Sequence, residues 1–558
     1  FDLLVELCRD CPANLGSLVR LSLQQHPVSL PGTERLSWSY SPALLEKTPC
    51  GYVGLKNLGA TCYMNSLLQQ LFMIRMFRYG VLSVRTFNGP PQDETERQEI
   101  EMFKQLQIMY AYLQESEKKY YDARPFCASY RDFDNQPMNT SLQMDVDEFL
   151  NIFFEKLATG LKQTSQANIL KHFFGGTSTN VVIGKSNGCS HKSEKEESFL
   201  CLQAVVMNKK NLQESLELFV KAEMLDGPNQ YRCDKCDKLV DAIKRTEVNE
   251  LPNNLIICLK RFQFDLDSMR KIKVTDHFEF PEVLDLSPYT KAGLQRQEDL
   301  EAGRDPSMEF PHPPSYYEYK LAGVLVHAGT ADSGHYYSFI KERDTDEEKW
   351  YHFNDMQVEP FNPQDIQRTC FGGTEVLSQW DPVQQKHISV AVPKPYSAYL
   401  LLYERIQQEP VPEECVIPIP QDSPCLRTFK PSPKVPHPRS ESGVVHAEMY
   451  ARVWEENQRF LRDKATFDVD HFQFMQALVQ TARDRHQQSP SAETSVQAQT
   501  ALQVGLRFVM ETLVHAKERS ALQAWISLLK ELCTACPAGA LWFLETLGDP
   551  QCRWLHSL

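Results

Sequence analysis

Apolar residues recur at a helical period near both ends of the chain, and gather into short alternating or continuous runs through its middle. Leu3, Leu4, Leu7, Leu15, Leu18, Val19 and Leu21 give residues 1–27 a rough 3.6-residue spacing, which predicts helix. Residues 28–49 read as a linker, because three prolines, Pro27, Pro31 and Pro42, break the stretch. From 50 to 405 the signals mix. Leu255–Phe264, Lys320–Val326, Tyr336–Lys341, Trp350–Phe353 and Ala398–Tyr403 are β-branched, aliphatic or aromatic runs of strand length bounded by polar turns. Residues 86–98 and 294–315, polar or rich in charge and proline, are expected as exposed loops. Nine prolines between 410 and 438 mark 406–440 as a second, extended linker. Residues 441–558 return to amphipathic helix over 445–485, 496–516 and 519–534, with a Ser/Pro break at 488–491.

Five regions in 558 residues suit a chain too long for one hydrophobic core. The first residue is Phe1, and the chain reads as a piece of a longer protein. No apolar run approaches the roughly 20 residues that span a bilayer, so no membrane partner is expected. The 59 basic and 73 acidic side chains leave a net charge of −14. That balance excludes nucleic acid as the main partner, since phosphate recognition needs a basic footprint. Sixteen scattered cysteines lack the pattern of a secreted disulfide framework. They are expected as reduced thiols in the cytoplasm or nucleus, some of them catalytic or metal-binding.

The densest chemistry lies in Gly51-Tyr-Val-Gly-Leu-Lys-Asn57-Leu-Gly-Ala-Thr-Cys62-Tyr-Met-Asn-Ser-Leu-Leu-Gln-Gln70. Met64, Leu67, Leu68, Leu71 and Phe72 fall on one helical face, so a helix is expected to start near Cys62. A helix N-terminus favours a thiolate over a thiol. Asn57, five residues earlier, can offer an amide N–H to an oxyanion beside that sulfur. A nucleophilic cysteine also needs an imidazole, usually distant in sequence. His327 and His335 flank a glycine-containing loop between two expected strands, and His335 is the preferred base. Gly334 beside it would admit a second backbone. Asn354 and Asp355, at the end of the next strand, offer an amide and a carboxylate to orient the ring.

These segments resemble the Cys box and His box of ubiquitin-specific proteases, the latter running from Tyr319 to Phe353-Asn-Asp-x-x-Val358. Gln143-Met-Asp145-Val-Asp-Glu148-Phe149 is similar to a third family motif, with Met144 in place of a second Gln. Leu251-Pro-x-x-Leu255, Leu259-Lys-Arg-Phe262 and Ser397-Ala-Tyr-Leu-Leu-Leu-Tyr403 resemble further family blocks. The resemblance covers about residues 50–405 in the family's order. It implies an α+β, papain-like fold with a helical thumb, a mixed palm and β-rich fingers. It also implies a deubiquitinating cysteine protease that needs no cofactor for catalysis and whose partners are ubiquitin and ubiquitinated proteins. Two other readings stay open: a protease for a ubiquitin-like modifier, and a catalytically weak ubiquitin-binding scaffold.

The resemblance implies Cys62 as nucleophile, His335 as base, Asn354 as the direct partner of its ring, Asp355 as a second catalytic residue, and Asn57 at the oxyanion. It implies contact with the substrate tail by Gln143, Asp145, Glu148, Phe262, Gly334 and Tyr336. Many relatives hold zinc in the fingers on two Cys-x-x-Cys pairs. Here Cys233 and Cys236 form one pair. In the other, Cys189 keeps one thiol while Ser186 stands where the second is expected, leaving His191 as the fourth candidate ligand. Cys8/Cys11 and Cys533/Cys536 have the same spacing inside helical patterns, where core packing explains them better.

Overall fold

The computed structural model describes residues 1–9, 11–25, 39–132, 134–185, 189–266, 269–305, 309–343, 348–381, 386–408, 445–517, 519–549 and 554. Residues 28–38 of the first expected linker, 409–440 of the second, and Ser186 lie outside these. Two compact units form: residues 1–46 with 454–558, and residues 47–453.

The first unit is helical. Its N-terminal stretch makes two helices, Asp2–Arg9 and Pro12–Gln25, the second opened by a proline whose missing N–H costs nothing at that position. The expected helix over 445–485 is likewise two, because the Asp468 carboxylate accepts the Asp470 N–H at 2.8 Å and starts a new helix, Val469–Gln488. Ser491 opens Ala492–Glu511 with a capping box to Thr494. Helices Leu522–Ala535 and Pro537–Gly548 follow. Leu15 and Val19 from the N-terminal stretch share one core with Leu478, Leu502, Phe508 and Trp525. Cys8 is buried in that same core, Cys533 packs against it, and Cys536 is buried.

The second unit is α+β. Its main sheet has eight strands, seven of them in the order Gln357–Phe361, Trp350–Asn354, Gly334–Lys341, Glu318–Gly329, Tyr396–Arg405, Asn254–Lys260 and Leu202–Val205. Every pairing along this path is antiparallel except the last, between Asn254–Lys260 and Leu202–Val205. The eighth strand, Val283–Asp285, pairs with Glu318–Gly329 off that path. The run expected over 255–264 breaks at Arg261, whose buried guanidinium donates to the carbonyls of Ala398, Val274, Asp276 and Phe371. A short hairpin, Phe262–Asp265 with Arg270–Lys273, follows the break.

Helices Cys62–Phe72, Arg75–Ser83, Glu94–Glu115 and Val146–Leu161 form the helical part of this unit. All eleven residues of the Cys62 helix are buried, not one face of it, because it packs on both the sheet and the other helices. Some of its buried polar groups are bonded internally: Gln69 Nε2 donates to the Val53 carbonyl at 2.9 Å and Ser66 Oγ to the Tyr63 carbonyl at 3.0 Å. Both expected loops are corrected in part: residues 94–98 of the first open the helix Glu94–Glu115 behind the Asp93 cap, and the second, 294–315, begins inside another helix. Lys291–Glu301 is a helix capped by the Thr290 hydroxyl, since the prolines of that segment all lie beyond it. A separate four-stranded sheet, in the order Lys192–Phe199, Gly176–Gly184, Ala242–Glu250 and Glu223–Leu225, stands beside the small hairpin Tyr231–Cys233 with Lys238–Val240.

Candidate active site

Cys62 is the first residue of its helix and is buried. The preceding loop turns sharply at Gly59, where φ is +137° and a Cβ would sit 2.8 Å from the Thr140 carbonyl oxygen. Asn57 organises that loop, its Oδ1 accepting the backbone N–H groups of Gly59 at 3.0 Å and Thr61 at 3.3 Å.

His335 is the second residue of the strand Gly334–Lys341, directly opposite Ala328. Its Nε2 lies 2.6 Å from Asn354 Oδ1. An amide oxygen only accepts, so Nε2 carries the proton and Nδ1 is left for the hydrogen bond with Cys62. That bond, followed by the one to Asn354, raises the His335 pKa to about 9 against the opposing effect of burial.

Asp355 behaves differently from its neighbour. The strand Trp350–Asn354 has ended, and Asp355 takes a left-handed conformation with φ +48°. Its carboxylate is 3.9 Å from His335 Nε2, but accepts the amide N–H groups of Asn57 at 2.9 Å and Asn65 at 2.8 Å. Its carbonyl accepts the Leu55 N–H at 2.8 Å, and a Cβ on Gly54 would approach that oxygen to 2.5 Å. Asn354 thus holds the imidazole, while Asp355 ties the sheet to the loop and helix of Cys62. Sequence reasoning missed Asn65, although its i+3 spacing from Cys62 puts it on the same side of that helix.

Asp145, Glu148 and Phe262 line a groove of about 410 Å³ together with Asp147, Gln203, Lys271 and Tyr399. Asp145 is the N-cap of Val146–Leu161, not a residue of its outer face, and its carboxylate accepts the Asp147 N–H at 2.9 Å and the Tyr399 hydroxyl at 2.6 Å. Lys271 Nζ stands 3.8 Å from the other Asp145 oxygen and 4.8 Å from the Phe262 ring centre. Asp147 accepts the Gln203 amide at 3.1 Å on both oxygens, and burial raises its pKa. Glu148 is exposed. No pattern in the sequence marks Asp147 or Tyr399, because one occupies the variable place of its motif and the other is one aromatic among several in a buried strand.

Gln143 and Gly334 meet: the Gly334 N–H donates to Gln143 Oε1 at 3.3 Å. The need for glycine at 334 is internal, since a Cβ there would lie 2.2 Å from His327 Nε2 and 2.4 Å from the Ala328 carbonyl oxygen. The Tyr336 side chain is buried between His327 and Tyr399, with ring centres 4.6 and 5.9 Å away. His327 itself is 2% exposed, packs its ring on Phe262 and Tyr336, and has its pKa lowered to about 3 by burial and then by Lys273.

Cys189, His191, Cys233 and Cys236 converge at the small hairpin, with their ligand atoms all within 4.8 Å of one another. His191 Nδ1 is 3.8, 3.6 and 3.3 Å from the three sulfurs. A tetrahedral zinc with bonds of about 2.3 Å to sulfur and 2.0 Å to nitrogen places such atoms about 3.5 Å apart, so the set fits the ion. The His191 contact already draws the Cys233 thiol down to about 6.

A family model described as ubiquitin carboxyl-terminal hydrolase matches residues 53–403. The chain is 34% identical over 557 residues to ubiquitin carboxyl-terminal hydrolase 34 of Homo sapiens, covering 98% of this chain and 14% of that protein. It is 38% identical over 434 residues to ubiquitin carboxyl-terminal hydrolase puf of Drosophila melanogaster, covering 73% and 11%. With ubiquitin carboxyl-terminal hydrolase 24 of Mus musculus the figures are 30% over 610 residues, 100% and 22%. The chain thus spans less than a quarter of the length of each of these relatives. No helix among the described residues is long and apolar enough to cross a membrane.

Proposed function

Because the chain belongs to the ubiquitin carboxyl-terminal hydrolase family, we propose that it hydrolyses isopeptide or peptide bonds after the C-terminal glycine of ubiquitin, acting on ubiquitinated proteins. One observation carries this reading: Asn354 holds one ring nitrogen of His335 at 2.6 Å and leaves the other to Cys62, whose contact is the main cause of the raised imidazole pKa. The Cys62 sulfur attacks the carbonyl carbon of the terminal glycine, and His335 gives its proton to the departing amine. Water, deprotonated by the same imidazole, then hydrolyses the thioester. Asn57 and backbone N–H groups at the start of the Cys62 helix steady the oxyanion in both steps. Asp355 takes one amide N–H of Asn57 and so fixes where the other points.

The groove explains how the substrate's tail is read. Asp145 and Glu148 supply carboxylates for arginine side chains, and Phe262 an apolar wall. Gln143 and Gly334 border the path towards His335. The reaction asks for no cofactor. Cys189, His191, Cys233 and Cys236 would hold a zinc that fixes the hairpin, a structural role remote from the chemistry. We place the protein in the cytoplasm or nucleus, where its thirteen free described cysteines stay reduced.

The test is a panel of ubiquitin and ubiquitin-like proteins carrying C-terminal electrophiles. Labelling by ubiquitin, with the other probes at least tenfold slower, is the expected result. Preferential labelling by a ubiquitin-like modifier would move the substrate, and no labelling by any probe would make the chain a binding scaffold.

A further inference from the structure

We infer that Lys273 is a positioning residue for His335, through a cage of three carbonyl oxygens that its ammonium draws together. Lys273 ends the strand Arg270–Lys273, opposite Phe262. Its Nζ donates to the carbonyls of His327 at 2.9 Å, Gly329 at 3.2 Å and Pro395 at 2.8 Å. An ammonium has three N–H donors and no acceptor, so the count matches the cage. Among the described residues no carboxylate pairs with it. Its partners are backbone dipoles, which makes the contact a device for holding chain segments in place.

The three segments are the ones that set His335. His327 and Gly329 end the strand Glu318–Gly329, and the paired strand begins at Gly334, one residue before His335. Only residues 330–333 join them, closed by the Thr330 N–H to the Ser333 carbonyl at 2.9 Å. Pro395 precedes the next strand over, and its carbonyl also accepts the Gly329 N–H at 2.8 Å. The loop is flanked by two glycines, with Gly329 at φ +127°, so its own backbone resists displacement weakly. Gln143 anchors it at Gly334 and Lys273 anchors it at Gly329. Burial and the Arg261 charge draw Lys273 down to about 7, while the carbonyl oxygens around it favour the charged form.

Removing the ammonium leaves three converging carbonyls without that donor, and they part. His335 then shifts relative to Cys62 and Asn354, and small displacements of a catalytic base are costly. Of the groove residues, Asp145 and Glu148 belong to another element while Phe262 and Lys271 share the hairpin of Lys273, so a readout that involves no groove contact is needed to separate an effect on His335 from one on binding.

This inference rests on the proposed deubiquitinase activity, and the experiment separates the two. Full-chain wild type, Lys273→Met and Lys273→Arg are compared for kcat and KM on a fluorogenic ubiquitin C-terminal amide. In parallel, the rate of Cys62 alkylation by iodoacetamide, which needs no ubiquitin, is measured together with Tm. Lys273→Met should lower kcat by about tenfold or more, with KM within about threefold and slower alkylation. Lys273→Arg, which keeps the charge and has five donors, should stay within about fivefold of wild type on both readouts. Lys273→Met with kcat and alkylation near wild type would overturn the inference, as would a loss confined to KM. Should Lys273→Met fail to melt cooperatively, Lys273→Arg decides: near-normal kcat supports the cage, and a tenfold loss at unchanged Tm overturns it. Wild type that alkylates normally but cleaves no ubiquitin substrate would sink the activity instead, leaving the alkylation arm to judge Lys273.

Discussion

His327 and His335 stand on adjacent strands of one hairpin, in neighbouring pairs of the register, and have opposite fates. His335 faces Cys62 and Asn354, and those polar partners lift its pKa to about 9. His327 is packed between Phe262 and Tyr336, and burial with Lys273 nearby lowers it to about 3. Residue type and strand position are nearly the same. What separates a base from a packing ring is whether charge on the imidazole has partners that welcome it.

Breaking the His335 side should have the largest effect. Cys62→Ala should remove measurable turnover while ubiquitin still binds, and His335→Ala should lower kcat/KM by about 10³ or more, read on a fluorogenic ubiquitin substrate. Activity retained by either variant would move the chemistry elsewhere. Next come the two residues behind the ring. Asn354→Ala and Asp355→Ala should each cost about 10²-fold in kcat/KM, the first by freeing the imidazole and the second by freeing Asn57 and Asn65. Because both serve one transition state, the double variant should lose less than the product of the singles.

A third histidine extends the comparison. His191 faces three thiols, the donor set of a tetrahedral metal site. Protein purified without chelator should carry about one zinc per chain, and stripping it should lower Tm by roughly 5 °C or more. Metal-free protein with unchanged Tm and activity would make the cluster a packing feature only.

The smallest effect belongs to His327. Its folded pKa is depressed, so on acidification the unfolded chain takes up a proton that the folded chain refuses. Stability is therefore lost between about pH 6.5 and 3, at up to about 1.4 kcal/mol per pH unit. His327→Phe should flatten that acid limb in urea melts and leave kcat within about threefold. A large loss of kcat there would make His327 part of the chemistry.

Much of this contrast was legible in the sequence. Gly59 and the apolar face after it put Cys62 at a helix start, and two strand runs bracketed His335. Strand alternation favoured Asn354 as the direct partner of His335, but spacing could not reveal where Asp355 turns, because that depends on the strand ending between them and on Asp355 becoming left-handed. Nor could it reveal that the whole Cys62 helix is buried, since periodicity reports one face and the second neighbour comes from distant helices. The helix Lys291–Glu301 was hidden by prolines that belong to the segment after it. Lys273 carries no local signature, and the block that holds Tyr399 does not single it out, for their partners lie far away in the chain.

The titration of the His335 ring, followed by NMR between pH 5 and 10, tests the central pairing most directly. In the wild type the imidazole should stay protonated up to about pH 9, and in Cys62→Ala, which removes the largest cause of that shift, it should titrate clearly lower. A wild-type His335 that titrates at about pH 6.5, or one that Cys62→Ala leaves unmoved, would contradict the pairing of Cys62 with His335.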